Sequence, residues 1–234
     1  YKRFLDAGKT ERECVEYAVG LARQKGFVPL ERGRSLKPGD KVYRVNRGKA
    51  IMLAVIGQEG LEKGVNIGAA HIDSPRLDLK QNPLYEADEL AFFKTHYYGG
   101  IRKYQWVTIP LELHGVVVLK SGQEVKVSVG GGEGDPVFTV DDLLPHLAGD
   151  QAKKPLGEAI PAENLNILVG SRPFQDDEGS ERVKLAILEL LNKKYGITEV
   201  DFISAELSAV PAFRASDVGF DRSLIGAYGQ DDRV

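Results

Sequence analysis

Cysteine is almost absent from this 234-residue chain. Cys14 stands alone, so no internal disulfide can form, and a reducing, cytoplasmic setting is the expectation. No run of 18 apolar residues occurs, so no membrane-spanning helix and no membrane partner are expected. A basic surplus is missing as well: 31 Lys and Arg stand against 34 Asp and Glu, a formal net charge of −3. A nucleic-acid binder usually carries a clear basic excess, so no such partner is expected. Residues 1–10 lack the apolar stretch of a signal peptide. The chain starts without Met, which reads as a trimmed start. It stops straight after the apolar run 224–228, which reads as a cut through a domain. What remains is ordinary globular material, 42% hydrophobic and 28% charged, long enough for a sizeable core in one large domain or two small ones.

Local signals place the elements. Thr10-x-x-Glu13 is a capping box, followed by Cys14, Ala18, Leu21 and Ala22 on one helical face and Gly26 as a stop. On that face Cys14 is expected to be an inert core thiol. Residues 41–45 are β-prone. The apolar runs 50–56 and 65–70 suit strands buried on both faces, and residues 76–80 alternate as a half-exposed strand. Three strands are expected at 106–113, 116–120 and 125–129, bounded by Gly115 and by a hairpin at Ser121-Gly122. The glycine cluster 130–134 lacks a following Gly-Lys-Ser/Thr, so it reads as a surface loop rather than a phosphate cradle. The acidic run 175–179 precedes a helix at 181–195 and suits its positive end. Residues 201–207 alternate as a last strand.

The chemistry-bearing residues are few. Of four histidines, His71 closes the run 65–70, where the end of a strand in an open α/β sheet would place a ligand site. Asp73, two residues on, would point the same way in extended chain. It could hydrogen-bond the imidazole nitrogen that does not hold a metal. Asp231-Asp232 follows the turn residue Gly229, and adjacent acids can bridge two metal ions. By spacing alone, each pair also suits a solvated loop.

The motifs in order carry more. Ala70-His71-Ile72-Asp73-Ser74-Pro75 resembles the A-H-x-D-S-P signature of the aspartyl aminopeptidase/aminopeptidase I family of dinuclear zinc metallopeptidases. Tyr98-Gly99-Gly100, Leu144-Pro145-His146-Leu147-Ala148, the stretch from Glu206-Leu207 to Val210-Pro211-Ala212, and Gly229-Gln230-Asp231-Asp232-Arg233 resemble further segments of that family, in register over most of the chain.

The resemblance implies an α/β fold: a zinc-peptidase mixed sheet with helices, interrupted by an inserted β-rich dimerisation domain. Residues 1–100 and 213–234 would be the two parts of the catalytic domain, and 101–212 the insertion. His71 would ligate one metal and Asp73 would orient it. Asp231 would bridge both metals and join Asp232 through a cis peptide. His146 would reach a partner subunit's active site. Without the resemblance, His146 reads as a surface histidine in a helix from about Asp141, though the apolar residues and rigid Pro of Leu143-Leu144-Pro145 suit a residue held by packing. The activity implied is release of N-terminal residues from peptides, with two Zn2+ activating a water and polarising the scissile carbonyl. Cobalt or manganese also suits His and carboxylate donors. The oligomer implied is a dodecamer built from dimers. The family's Glu-Glu pair, another acidic ligand and a final histidine would follow the bridging aspartate, so this chain is expected to be an N-terminal portion, inactive alone. A non-catalytic assembly module and a related zinc deacylase remain as alternatives.

Overall fold

Thr10 caps the first long helix through the box its sequence encodes. Glu13 N donates to Thr10 Oγ1 at 3.5 Å, and the Glu13 carboxylate accepts from Thr10 N at 3.1 Å. The computed structural model describes residues 1–175 and 179–233. In chain order the elements are α1 (Lys2–Ala7), α2 (Glu11–Gln24), β1 (Val28–Pro29), β2 (Lys41–Asn46), β3 (Ala50–Val55), β4 (Arg76–Ala87), β5 (Leu90–Tyr98), β6 (Leu111–Val118), β7 (Glu124–Val129), α3 (Leu156–Ala159), β8 (Ile167–Gly170), α4 (Arg182–Tyr195), β9 (Ala205–Pro211), β10 (Ser216–Val218) and β11 (Leu224–Gly226). The fold class is α/β, as the sequence implies.

The described residues form two units, residues 1–74 with 214–234, and residues 75–213. The second unit begins at Pro75 rather than at 101, because β4 and β5 belong to its sheet. In the first unit, β1 pairs parallel with β2 and β2 antiparallel with β3, so the small sheet is mixed. Its core holds Leu5, Cys14, Val15, Ala22, Val42 and Tyr43. Burial pushes the Cys14 thiol up to about 11, which suits the inert role its helix face predicts.

The second unit is built on an antiparallel six-stranded sheet, ordered β7-β6-β9-β4-β5-β8. Helix α4 packs on it closely enough that a Cβ on Gly170 would meet Ile187 Cδ1 at 2.6 Å. A carboxylate from β4 caps that helix: Glu86 Oε2 accepts from Val183 N at 2.8 Å and Lys184 N at 2.9 Å. Asp176, Asp177 and Glu178 of the acidic run lie outside the described residues, so the expectation placed on that run finds no description here. Glu86→Ala strands two N–H groups at the positive end of α4. Denaturant unfolding should show a loss of about 1–2 kcal/mol.

Several strand expectations change. Residues 65–70 form no strand; Gly64 turns at φ +104, and Ile67 is 80% exposed. The run had the composition of a strand, but strand formation needs a pairing partner that composition does not specify. β3 is a strand, yet it edges its sheet and leaves Met52 73% exposed. Residues 106–110 are irregular, with Thr108 at φ +60 and Pro110 lacking an N–H; pairing starts at Leu111. Gly115 bounds nothing. It sits inside β6 at φ +144, where the β9 backbone passes too close for any side chain. The Ser121-Gly122 turn does close the β6–β7 hairpin: Gly122 N donates to Leu119 O at 2.7 Å. Residues 199–204 form a 3₁₀ turn, with Thr198 N and Oγ1 donating to Asp201, and strand begins only at Ala205. No helix starts near Asp141. Pro145 cannot donate and biases its predecessor away from helix, and residues 145–147 make a turn instead. Among the described residues no helix is long and apolar enough to cross a membrane.

Candidate metal centre

His71, Asp73 and Asp232 meet in the first unit. His71 Nδ1 lies 3.1 Å from Asp73 O and 3.2 Å from Asp73 Oδ1. Two acceptors around Nδ1 select the tautomer that carries its proton there. The Nε2 lone pair is left available, and Nε2 sits 3.9 Å from Asp232 Oδ1. The His71 side chain is 61% exposed and that of Asp232 22% exposed. The lone pair therefore faces an accessible space beside a partly buried carboxylate. Residues 71–73 lie in a loop, not at the end of a strand as expected.

Of the two adjacent acids, Asp232 is the one facing His71. Burial pushes its carboxyl up. Asp231 and Asp73 push the same way, while His71 and Arg233 oppose. The Asp231–Asp232 peptide is trans; no cis peptide occurs among the described residues, which corrects the cis bond expected there. Gly229, at φ +62, lets the turn seat itself: a Cβ there would collide with Ser74 Oγ and lie 2.9 Å from Arg233 Nε. Ser74 directly follows Asp73, so the histidine segment and the aspartate turn touch through a residue that has no side chain.

The donor chemistry suits zinc, an imidazole nitrogen with carboxylate oxygens. Among the described residues no group of three or more His, Cys, Asp or Glu side chains is placed to hold a metal ion. His146 lies in the second unit on the exposed turn 145–147, with Leu143, Leu144 and Leu147 exposed beside it. The packing expected to hold it is absent among the described residues.

Within the second unit two distant motif pieces meet. A Cβ on Gly99 would lie 3.3 Å from Pro75 Cα, and the Arg76 guanidinium stacks 4.2 Å from the centre of the Tyr98 ring. An apolar cavity of about 710 Å³ lies between α4 and the sheet, lined by residues such as Phe93, Leu113, Phe138 and Leu191. Its lining offers no metal donors, so it does not compete with the His71 cluster. Of the two adjacent acids, the one that faces His71 Nε2 is Asp232 rather than Asp231, which the sequence does not signal, and neither does it signal the burial of Arg233.

The family model "Aminopeptidase I zinc metalloprotease (M18)" matches residues 4–234. The chain belongs to that family. It is 54% identical over its whole length to a "Probable M18 family aminopeptidase 1" of Clostridium acetobutylicum, covering 51% of that relative. It superposes on the crystal structure of an M18 aminopeptidase from Thermotoga maritima with a TM-score of 0.94 and 49% identity, covering 100% of this chain and 51% of that one. The S. cerevisiae mApe1 dodecamer shares the fold at 20% identity, with a TM-score of 0.68 over 96% of this chain and 50% of that one. The chain thus spans about half the length of the relatives it matches.

Proposed function

We propose that these residues are the N-terminal portion of a zinc-dependent aminopeptidase that releases N-terminal amino acids from peptides. The observation that carries this reading is the His71 imidazole, held at Nδ1 by Asp73 with Nε2 turned toward Asp232. Membership of a zinc aminopeptidase family supports it. The length of the relatives supports the further proposal that the remaining ligands and the general base lie on chain beyond residue 234.

In this reading His71, through Nε2, and Asp231 are the residues of this portion that would hold the zinc ions. Bound zinc would supply Lewis acidity, polarising the scissile carbonyl and acidifying a water. Asp73 keeps His71 in one tautomer and makes Nε2 a better donor. Asp232 adds negative charge beside Nε2, which favours a cation there. His146 reaches a partner subunit's centre and donates to the oxyanion that forms as the peptide carbonyl is attacked. The exposed leucines around His146 give a second copy an apolar surface to cover. The mApe1 dodecamer supports assembly as a homo-oligomer.

The full-length protein, loaded with zinc, should hydrolyse aminoacyl anilides and spare N-acyl amino acids. The opposite preference would make it a deacylase, and no turnover of either would leave an assembly role. In the same protein Asp73→Asn should lower zinc affinity or activity about 10–100-fold while leaving the unfolding midpoint near wild type. Unchanged activity and metal content would reduce Asp73 to a loop acid.

A further inference from the structure

Arg233 is the largest of the fully buried side chains, 1% exposed. Arginine is seldom buried without partners, because removing its charge from water costs far more than packing returns. Its partners are three main-chain carbonyls. Nε donates to Gly229 O at 3.1 Å, Nη1 to Leu5 O at 3.4 Å, and Nη2 to Tyr228 O. The guanidinium also lies 5.2 Å from the centre of the Tyr228 ring.

These contacts close a loop around the two aspartates. Arg233 N donates to Gly229 O at 3.2 Å, so backbone and side chain of one residue return to the same carbonyl. Asp231 and Asp232 sit inside the closed stretch. Leu5 O ties the loop to α1. Tyr1, from the same end of the chain, holds it from another side: its one hydroxyl hydrogen is shared between Gln230 O at 2.8 Å and Arg233 O at 3.1 Å. Where the loop begins, Gly229 rests against Ser74, next to Asp73. The loop is therefore referenced at once to α1 and to the segment carrying His71.

We propose that Arg233 is a positioning residue: its buried guanidinium locks the 229–233 turn so that the Asp232 carboxylate stays opposite His71 Nε2. The inference rests on the zinc reading of that cluster. A planar fork can serve three carbonyls in different directions; a lysine ammonium on a flexible stem offers no such fixed geometry. Metal affinity depends on ligand placement within a few tenths of an ångström, so a loosened turn should weaken zinc binding without unfolding the protein.

The test uses full-length protein and zinc alone, with affinity measured by competition against a chromophoric chelator and folding by thermal unfolding. Arg233→Lys should retain a cooperative transition and lose about 10–100-fold in zinc affinity, the range seen when residues that orient ligands are lost. Tyr1→Phe removes one hydroxyl from the surface end of the clamp. It should fold normally and lose several-fold, and it decides the matter if Arg233→Lys does not fold. His71→Ala is the control. If it loses zinc while Arg233→Lys, or Tyr1→Phe in its place, binds as wild type, the positioning role is overturned and the metal site stands. If His71→Ala itself binds zinc as wild type, the metal site is overturned and the inference goes with it.

Discussion

Activity returns when an inactive His71→Ala subunit and an inactive His146→Phe subunit exchange into one oligomer. This outcome follows from the proposal that the two histidines do different work. His71 would offer a lone pair to a metal, with Asp73 on its far nitrogen. His146 stands on the exposed turn 145–147 of the other unit, flanked by exposed Leu143, Leu144 and Leu147. An exposed histidine among exposed leucines suits a surface that a second subunit covers. If His146 serves the partner's centre, the His146→Phe subunit keeps its own metal and receives an intact histidine from the His71→Ala subunit. Random pairing of equal amounts then leaves about a quarter of all sites complete, as the two-fold symmetry of a dimer requires. Each substitution alone should be severe: a single oxyanion donor is worth about 10²–10³ in kcat, and loss of a metal ligand costs at least as much. The His146→Phe loss should fall on kcat more than on KM, because the charge it meets develops only in the transition state. Demonstrated subunit exchange with no recovery would place His146 in its own subunit's site or outside catalysis.

Gly115→Ala should be the most damaging single methyl in the sheet. Gly115 pairs with Leu207 across β6 and β9 at φ +144. A Cβ built there overlaps the Glu206 carbonyl oxygen, lies 2.9 Å from that carbonyl's carbon, and is 3.0 Å from Leu207 Cα. Every one of these atoms is backbone, so no side chain can swing away, and two central strands must part. Strain at the residue and disruption of the ladder together put the expected loss at about 3–5 kcal/mol in denaturant unfolding. Gly122→Ala is the comparison. It too has positive φ, at +87, but a Cβ there meets nothing within 4 Å. It should cost about 1 kcal/mol, the conformational part alone. Equal losses at the two positions would mean that β6 and β9 yield more easily than their backbone packing implies.

The elements legible in the sequence are those closed by short-range hydrogen bonds. The Thr10-x-x-Glu13 box starts α2, Gly196 at φ +72 stops α4, and Ser121-Gly122 turns β6 into β7. Each works through atoms a few residues apart, so the order of residue types carries the whole signal. The 3₁₀ turn at 199–204 was legible in the same way, since Thr198-x-x-Asp201 repeats the logic of the first box, but the alternation of 201–207 masked it. His71 and Asp73 also fall in this class, being two residues apart and in direct contact.

Tertiary structure decided everything that depends on a remote partner. Residues 65–70 and 106–110 had strand composition, yet strands exist by pairing, and neither segment joins a ladder. Gly115 looked like a boundary because nothing local reports that β9 will pass against it. The choice of Asp232 over Asp231 as the carboxylate opposite His71 depends on how a turn 160 residues downstream seats on Ser74. The burial of Arg233 has the same origin. A charged residue beside two acids reads as solvated surface until Leu5, Tyr228 and Gly229 present their carbonyls to it. Local order supplied the side chains of the His71 cluster; long-range packing supplied their placement, because only packing fixes distances between residues that the chain itself leaves free.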